Sequence, residues 1–290
     1  MFAHDFVRNA YLAGTPIAVC CGLIGWFVVL RAQVFACDAL SHVAFVGAIA
    51  AAVAGVDARV GLFALTVVVA VAMAGLGLRA GEADDAAIGT AFAWVLGIGV
   101  LLLAVLATTP GGGSGVTLAN TLFGSIYSLS GGAARLAAVV ALAVVAALGM
   151  IVRPLLLTTL DADQATARGV PATTLGVLFL VLLAAVTAES TQAVGALLLL
   201  GLIAAPAGAA HLLTARPYTG MLLSAAIAVA AMWAGLALSY AVGGLPPSTA
   251  IVGLAAGAYL MAAVWSGRVG RQRKAFLRSS RLRRSAGSPS

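Results

Sequence analysis

The sequence predicts an all-α protein that crosses a membrane about nine times. Hydrophobic residues make up 62% of the 290 positions and charged residues 9%, whereas a soluble domain is about a quarter charged and less than half apolar. The few charges separate long uncharged stretches, and one helix needs roughly 20 apolar residues to cross a bilayer. The two longest stretches, 86–134 and 217–267, are divided by the turn-forming segments Thr108–Gly115 and Gly243–Ser248.

These boundaries define nine predicted crossings, with eight as the lower alternative. The crossings lie near 10–30, 38–55, 60–78, 88–107, 134–152, 172–188, 193–213, 220–242 and 249–266. A further apolar stretch, 118–130, is too short and too polar to cross and is expected to be re-entrant or to lie at the surface.

The distribution of basic residues predicts the orientation. Positively charged loops stay on the cytoplasmic side, and placing the basic C-terminal tail inside puts 13 basic residues inside and 3 outside. The N-terminus is then outside. We expect a membrane domain over 1–267 and a basic cytoplasmic tail over 268–290 that is disordered beyond about residue 275. The tail is more typical of an anchor beside anionic lipid than of a nucleic-acid-binding segment, because it contains no folded nucleic-acid-binding motif.

The absence of certain motifs limits the chemistry of the chain. Its single lysine, Lys274, is in the tail, so the chain has no phosphate-binding loop of the Gly-rich, Lys-containing type. We therefore expect no enzymatic activity, and any ATP hydrolysis must occur on another polypeptide. Cys20, Cys21 and Cys37 are interpreted as small buried apolar residues.

Ionisable residues within membrane helices are candidates for function. Asp38 and His42 are spaced i and i+4, which places both side chains on one helix face. A carboxylate and an imidazole suit Mn, Fe or Zn, and Ser41 is a candidate supporting residue and a possible pathway or gate residue. The spacing alone leaves open whether the pair binds a metal or forms a structural Asp–His hydrogen bond, and two ligands are too few for a complete site.

Three other residues are weaker candidates. Glu189 could attract cations to an entrance of a pathway, although a solvated loop residue is the favoured interpretation. Pro206, surrounded by small residues, is a candidate hinge or pathway lining because proline frees a helix carbonyl. His211 is interpreted as an interfacial or packing residue.

Several motifs, in order along residues 10–265, together resemble one known family. They are Arg31 followed by Asp38-Ala-Leu-Ser-His42 with Gly47, then Asp84-Asp-Ala-Ala-Ile-Gly89, Leu122-Phe-Gly-Ser-Ile126, Asp161-Ala-Asp-Gln-Ala-Thr-Ala-Arg-Gly-Val-Pro171, Ala193-Val-Gly-Ala-Leu-Leu198 and Ile203-Ala-Ala-Pro-Ala207. The chain resembles the ABC-3 integral permeases of manganese, zinc and iron importers. It departs from their pattern at Cys37, usually Gly, and at Val46, usually Pro.

The resemblance implies a type II importer-like permease in the bacterial plasma (inner) membrane that takes up a divalent Mn, Zn or Fe ion and holds no permanent cofactor. It implies that Asp38 and His42 hold the metal. It also implies that residues 161–171 form a cytoplasmic coupling helix, with Asp161, Asp163, Ala165, Ala167 and Gly169 in the matching motif. Of these, Ala165, Ala167 and Gly169 are expected to face the ATPase.

The partners implied by the resemblance are an ABC ATPase subunit that uses ATP, an extracytoplasmic metal-binding protein and a second permease copy or a similar permease. Two alternatives from other classes are a secondary transporter driven by an ion gradient and a membrane assembly subunit without a pathway. A secondary transporter often contains internal repeats, and no convincing repeat is visible in this sequence. Uptake of a metal chelate rather than a free ion is also open.

Overall fold

The computed structural model describes residues 4–77, 85–108, 124, 126–242 and 244–285, and regular secondary structure in these residues is helical throughout. Eight of the described helices are long and apolar enough to cross a membrane, and a ninth apolar helix is shorter. The all-helical, multi-pass membrane fold predicted from the sequence is therefore confirmed.

The helices are numbered in chain order. They are α1 (Asp5–Leu30), α2 (Val34–Val53), α3 (Ala58–Gly77), α4 (Asp85–Thr108), α5 (Gly131–Leu160), α6 (Ala162–Ala167), α7 (Ala172–Val194), α8 (Leu199–Leu213), α9 (Pro217–Ala241) and α10 (Pro247–Ser285). A 3₁₀ turn, Ile126–Ser128, precedes α5.

The seventh predicted crossing, 193–213, differs most from the structure. Helix α7 continues to Val194, and a turn then leads to α8, which has 15 residues. At 1.5 Å per residue α8 is about 22 Å long, less than the roughly 30 Å of a bilayer core. The break occurs at Gly195, whose φ of 89° is incompatible with a continuing right-handed helix.

Helix α1 is central in the bundle, and small residues allow its neighbours to approach closely. A Cβ atom at Gly22 would lie 2.5 Å from the Cα of Ala225 in α9, and one at Gly25 would lie 2.2 Å from the carbonyl oxygen of Ile203 in α8. Glycines at such contacts are typical of membrane helix packing, where close backbone approach replaces a hydrophobic driving force.

The contacts also establish the direction of the helices. The end of α9 returns to the start of α1, because the rings of Tyr240 and His4 are 6.5 Å apart. Helix α10 begins at that same end, where Ser239 Oγ donates to the carbonyl of Leu245 at 2.7 Å. The start of α1 and the end of the α10 span, Pro247–Gly267, therefore lie at opposite ends of the bundle, as an odd number of passes requires.

Some sequence-based predictions lie outside the described residues, among them Arg79, Asp84, Gly243, most of the segment 118–130 and the last five residues. Helix α10 continues beyond its membrane span to Ser285, so the predicted boundary at residue 267 falls within the helix. The division into two domains and the disorder of the tail stay predictions.

Candidate functional site

Asp38 and His42 lie next to each other in the first half of α2. His42 Nε2 is 4.0 Å from Asp38 Oδ1, and the two side chains are 22% and 35% exposed, respectively. The i, i+4 spacing therefore places a carboxylate and an imidazole side by side, as predicted. Because neither side chain is closed off, both have room for an additional partner.

Aromatic side chains flank this pair. The ring of Phe92, in α4, is 5.6 Å from the ring of His42 and 6.4 Å from that of Phe35, which lies one turn before Asp38. Helix α4 thus packs against the same side of α2 that carries the pair. Nothing in the sequence distinguishes Phe35 and Phe92 from their neighbours, since apolar residues occur throughout both helices.

Ser41 does not share the position of its neighbours. Its side chain is buried, and its hydroxyl donates to the backbone carbonyl of Asp38 at 2.7 Å. This bond holds the helix turn that carries Asp38 and His42, which fits a supporting role better than direct contact with an ion in the pathway.

The structure does not bring a third strong ligand to the pair. Among the residues that the structure describes, no group of three His, Cys, Asp or Glu side chains could hold a metal ion. An ion at Asp38 and His42 would complete its coordination with water, backbone carbonyls or groups from another chain.

Glu189 is buried, contrary to the interpretation as a solvated loop residue. Because α7 extends to Val194 rather than ending near 188, Glu189 lies within the helix and is 4% exposed. It lines a small cavity between α1, α5 and α7 together with Cys20 and Ser190. The neighbouring Ser190 Oγ is 3.2 Å from Cys21 Sγ.

Pro206 is buried in α8, one turn after Ile203, the residue against which Gly25 of α1 packs. Proline leaves the carbonyl four residues earlier without its helical donor, so the helix is weakened beside its closest contact with α1. His211, near the end of α8, stacks on Trp26 with ring centroids 5.0 Å apart, and its Nε2 is 3.0 Å from the Trp26 carbonyl oxygen. These contacts agree with a packing role for His211.

The turn between α7 and α8 packs against the described part of the segment 118–130. Gly124 has a φ of 71°, and a Cβ atom there would lie 2.4 Å from the carbonyl carbon of Val194. Ile126 is fully buried and its Cδ1 would be 3.1 Å from a Cβ at Gly14. Gly14 is nine residues into α1, about 13 Å along its axis, so Ile126 packs within the bundle, and the re-entrant or surface course of the whole segment stays a prediction.

The segment 161–171 contains the short helix α6. The Asp161 carboxylate accepts from the backbone N–H of Gln164 at 2.9 Å and from its side-chain amide at 2.6 Å, so Asp161 caps the helix start. Gly169, with a φ of 69°, follows its end, as is common at helix C-termini.

The orientation of α6 differs in part from the prediction. Asp163, Ala167 and Gly169 are exposed. Ala165 is fully buried within the chain, so the expectation that it faces a partner is wrong. In an α-helix with 3.6 residues per turn, residues two positions apart, such as Ala165 and Ala167, point to nearly opposite sides.

Comparison with known proteins shows similarity over nearly the whole chain. The ABC 3 transport family model matches residues 3–266. The manganese transport system membrane protein MntC of Halalkalibacterium halodurans is 29% identical over 239 residues, which cover 82% of this chain and 80% of that protein. The chelated iron transport system membrane protein YfeC of Yersinia pestis is 27% identical over 231 residues, 80% of this chain and 76% of that protein.

A solved structure shares the fold. PsaBC from Streptococcus pneumoniae in complex with Fab superposes with a TM-score of 0.78 at 25% identity, covering 90% of this chain and 92% of the matched chain. The whole membrane part of the chain, not one motif, is therefore similar to these proteins.

Proposed function

We propose that this chain, which belongs to the ABC 3 transport family, is the membrane-spanning permease subunit of an ABC importer for a divalent transition metal ion. The observation that carries the proposal is the adjacent pair of Asp38 and His42 on one face of a membrane helix. The names of the relatives, a manganese system and a chelated iron system, support metal as the transported species.

The energetics of Asp38 favour a cation as its partner. A carboxylate at membrane depth costs at least about 2.5–3.5 kcal/mol on insertion scales. Within the described residues, the ion pair that an arginine forms is Arg8 with Asp5, and the neighbour of the Asp38 carboxylate is the His42 imidazole at 4.0 Å, so neither arginine nor lysine compensates Asp38. A divalent ion would compensate the carboxylate, and neutral His42 would add a nitrogen ligand.

The exposure of Asp38 and His42 supports the proposal of a second permease subunit in the transporter. A carboxylate that is 35% exposed on a membrane helix is unfavourable against lipid and favourable against a water-containing pathway. We propose that a second copy, or a similar permease, covers this face and that the pathway runs between Asp38 and its covering subunit. Glu189 and Pro206 stay proposed as pathway or gate residues.

The energy source is proposed to be a separate ABC ATPase. The sequence lacks the lysine-containing phosphate loop that ATP hydrolysis of this type needs. The exposed side of α6, with Asp163, Ala167 and Gly169, is the proposed docking segment for that ATPase. An extracytoplasmic metal-binding protein is the proposed donor of the ion. No observation favours the secondary transporter.

The test is uptake of radioactive Mn(II) and Zn(II) by cells that express the wild type, Asp38→Asn or His42→Ala at equal membrane levels. Loss of an outer-shell residue of a metal site costs about 10–100-fold, so loss of a direct ligand is expected to reduce uptake at least about 100-fold. Asp38→Asn is the sharper variant because it keeps the shape and removes the charge.

The matched control is Asp5→Asn, which also removes one carboxylate. Asp5 is exposed and pairs with Arg8 at 3.0 Å, and such surface pairs contribute little. Normal uptake is expected for this control. Wild-type uptake in both Asp38→Asn and His42→Ala would refute the metal site and leave the pair with a structural role.

A further inference from the structure

We propose that Arg31 is a positioning residue that links the ATPase-facing segment 161–171 to the metal-binding helix α2. The proposal rests on the proposed function and adds a residue whose contacts connect its two sites. Arg31 directly follows α1 and stands three residues before α2. Its guanidinium reaches the two helices that enter and leave the segment 161–171.

The first contact is with the helix that enters the segment. Arg31 Nη1 donates to Thr159 Oγ1 at 3.2 Å. The Thr159 hydroxyl donates its own hydrogen to the Leu155 carbonyl at 2.6 Å, which leaves its lone pairs available to Arg31. Thr159 is in the last turn of α5, two residues before Asp161, which caps α6. A shift of α6 therefore reaches Thr159 through one helix turn.

The second contact is with the helix that leaves the segment. The guanidinium carbon of Arg31 lies 5.4 Å from the centroid of the Phe179 ring, within the range of a cation–π contact. Gly176 provides the space, since a Cβ atom there would be 3.8 Å from Arg31 Nη2. Gly176 is in the second turn of α7, which begins at Ala172, and Phe179 is at the start of the third turn. One side chain thus joins both ends of the segment 161–171.

The connection from Arg31 to the metal-binding helix is short. The Arg31 N–H donates to the Phe27 carbonyl at 2.8 Å and the Gln33 N–H to the Val28 carbonyl at 2.8 Å, so the turn is tied to α1 at both ends. Ala32 between them has a φ of 55°, a conformation that restricts the turn to few alternatives for a residue with a side chain. A turn of this kind passes a displacement on to α2 rather than absorbing it. Asp38 is in the second turn of that helix.

The chemistry of Arg31 suits a contact that changes during transport. Burial lowers the pKa of the Arg31 guanidinium, which nevertheless stays protonated. Its described partners are a hydroxyl and an aromatic ring rather than a carboxylate. Lysine carries the same charge but has neither the planar fork nor the stacking face, so it cannot keep both contacts.

The test compares Arg31→Lys and Thr159→Val with the wild type in the complete importer, captured through a tag on this chain and reconstituted in liposomes. ATP hydrolysis and uptake of Mn(II) are measured in the same vesicles, and binding of Mn(II) without ATP is measured separately. Thr159→Val keeps the shape of the side chain and removes the acceptor for Arg31, together with the hydrogen bond that the hydroxyl donates to the Leu155 carbonyl within α5. The matched control is Arg153→Lys, an exposed arginine of the same helix α5.

For both variants we expect unchanged Mn(II) binding, basal ATP hydrolysis within twofold of the wild type, and at least a tenfold lower number of ions imported per ATP. The control is expected to keep the wild-type ratio. A wild-type ratio in Thr159→Val and Arg31→Lys would overturn the positioning role and leave the proposed function intact. Absence of ATP-driven uptake in the wild type would instead overturn the proposed function.

Discussion

The close contact between α1 and α8 allows a prediction whose size follows from the structure. A Cβ atom at Gly25 would lie 2.2 Å from the carbonyl oxygen of Ile203, and ordinary contact begins near 3.4 Å. The two helices would have to separate by the difference, about 1.2 Å, to admit the methyl group of Gly25→Ala. The obstructing atom belongs to the backbone, so no side-chain rotation can relieve the overlap.

Overpacking of a close contact costs about 1–3 kcal/mol, and a backbone obstacle favours the upper part of this range. Alanine in place of glycine returns up to about 1 kcal/mol through helix propensity. We therefore expect Gly25→Ala to lower the free energy of unfolding by about 2 kcal/mol. For a large domain this corresponds to a Tm roughly 4–8 °C lower.

The assay is thermal unfolding of the purified chain in detergent, with Gly253→Ala as the control. Gly253 is in α10, and its hypothetical Cβ has no atom within 4 Å, so the control is expected to match or exceed the wild-type Tm. Equal melting temperatures for Gly25→Ala and Gly253→Ala would refute the reasoning, because both substitutions add the same methyl group. Since α8 also contains Pro206, we expect Gly25→Ala to reduce metal uptake as well.

Further substitutions test the coupling segment, a helix cap and a packing residue. Ala167→Trp is expected to abolish metal-stimulated ATP hydrolysis without changing the amount of protein in the membrane. This substitution tests the size of the side chain alone, whereas Gly169→Trp would also add backbone strain at a φ of 69°. Normal stimulation of ATP hydrolysis in Ala167→Trp would contradict the docking role. Ser130→Ala removes the side-chain oxygen that caps α5 and should lower the stability by about 1 kcal/mol, read as a lower Tm. His211→Phe keeps the stacking on Trp26 and should keep metal uptake, whereas a loss of uptake would indicate a ligand role.

The positions of most membrane helices could be predicted from the spacing of charges together with turn-forming residues. This succeeded because charged residues are costly within the bilayer, so the uncharged stretches correspond to helices such as α1 and α3. The turn at Gly195 could not be found in this way, because it is as uncharged as the helices beside it. Its signals are tertiary: a glycine in a left-handed conformation and a close contact with Gly124.

Two site predictions failed for a related reason. The favoured interpretation of Glu189 as a solvated loop residue is wrong, because α7 continues past Glu189 and buries it, whereas its alternative role in a pathway stays a prediction. Ala165 was assigned to an exposed face because its motif resembles a docking segment, yet its methyl group packs within the chain. Local composition indicates that a residue lies near a helix end, but only packing determines which side of the helix meets solvent.

Asp38 and His42 were predictable because helix periodicity alone makes residues four apart neighbours, and the structure places them 4.0 Å apart. The remaining ligands of a bound ion could not be predicted from the sequence, since they depend on other helices or another chain.

Arg31 shows the limit of sequence reasoning most clearly. In the sequence it is a basic residue at a predicted inner helix end, as the positive-inside tendency favours, and the first residue of the motifs that resemble the family, but neither observation indicates its contacts. Its hydrogen-bond partner, Thr159, lies 128 positions away, so no local pattern joins the two. Its position at the C-terminal end of α1 nevertheless brings it to the level of the segment 161–171, because that segment connects helices that end and begin at the same end of the bundle. The same residue can therefore mark the orientation and join the two proposed sites.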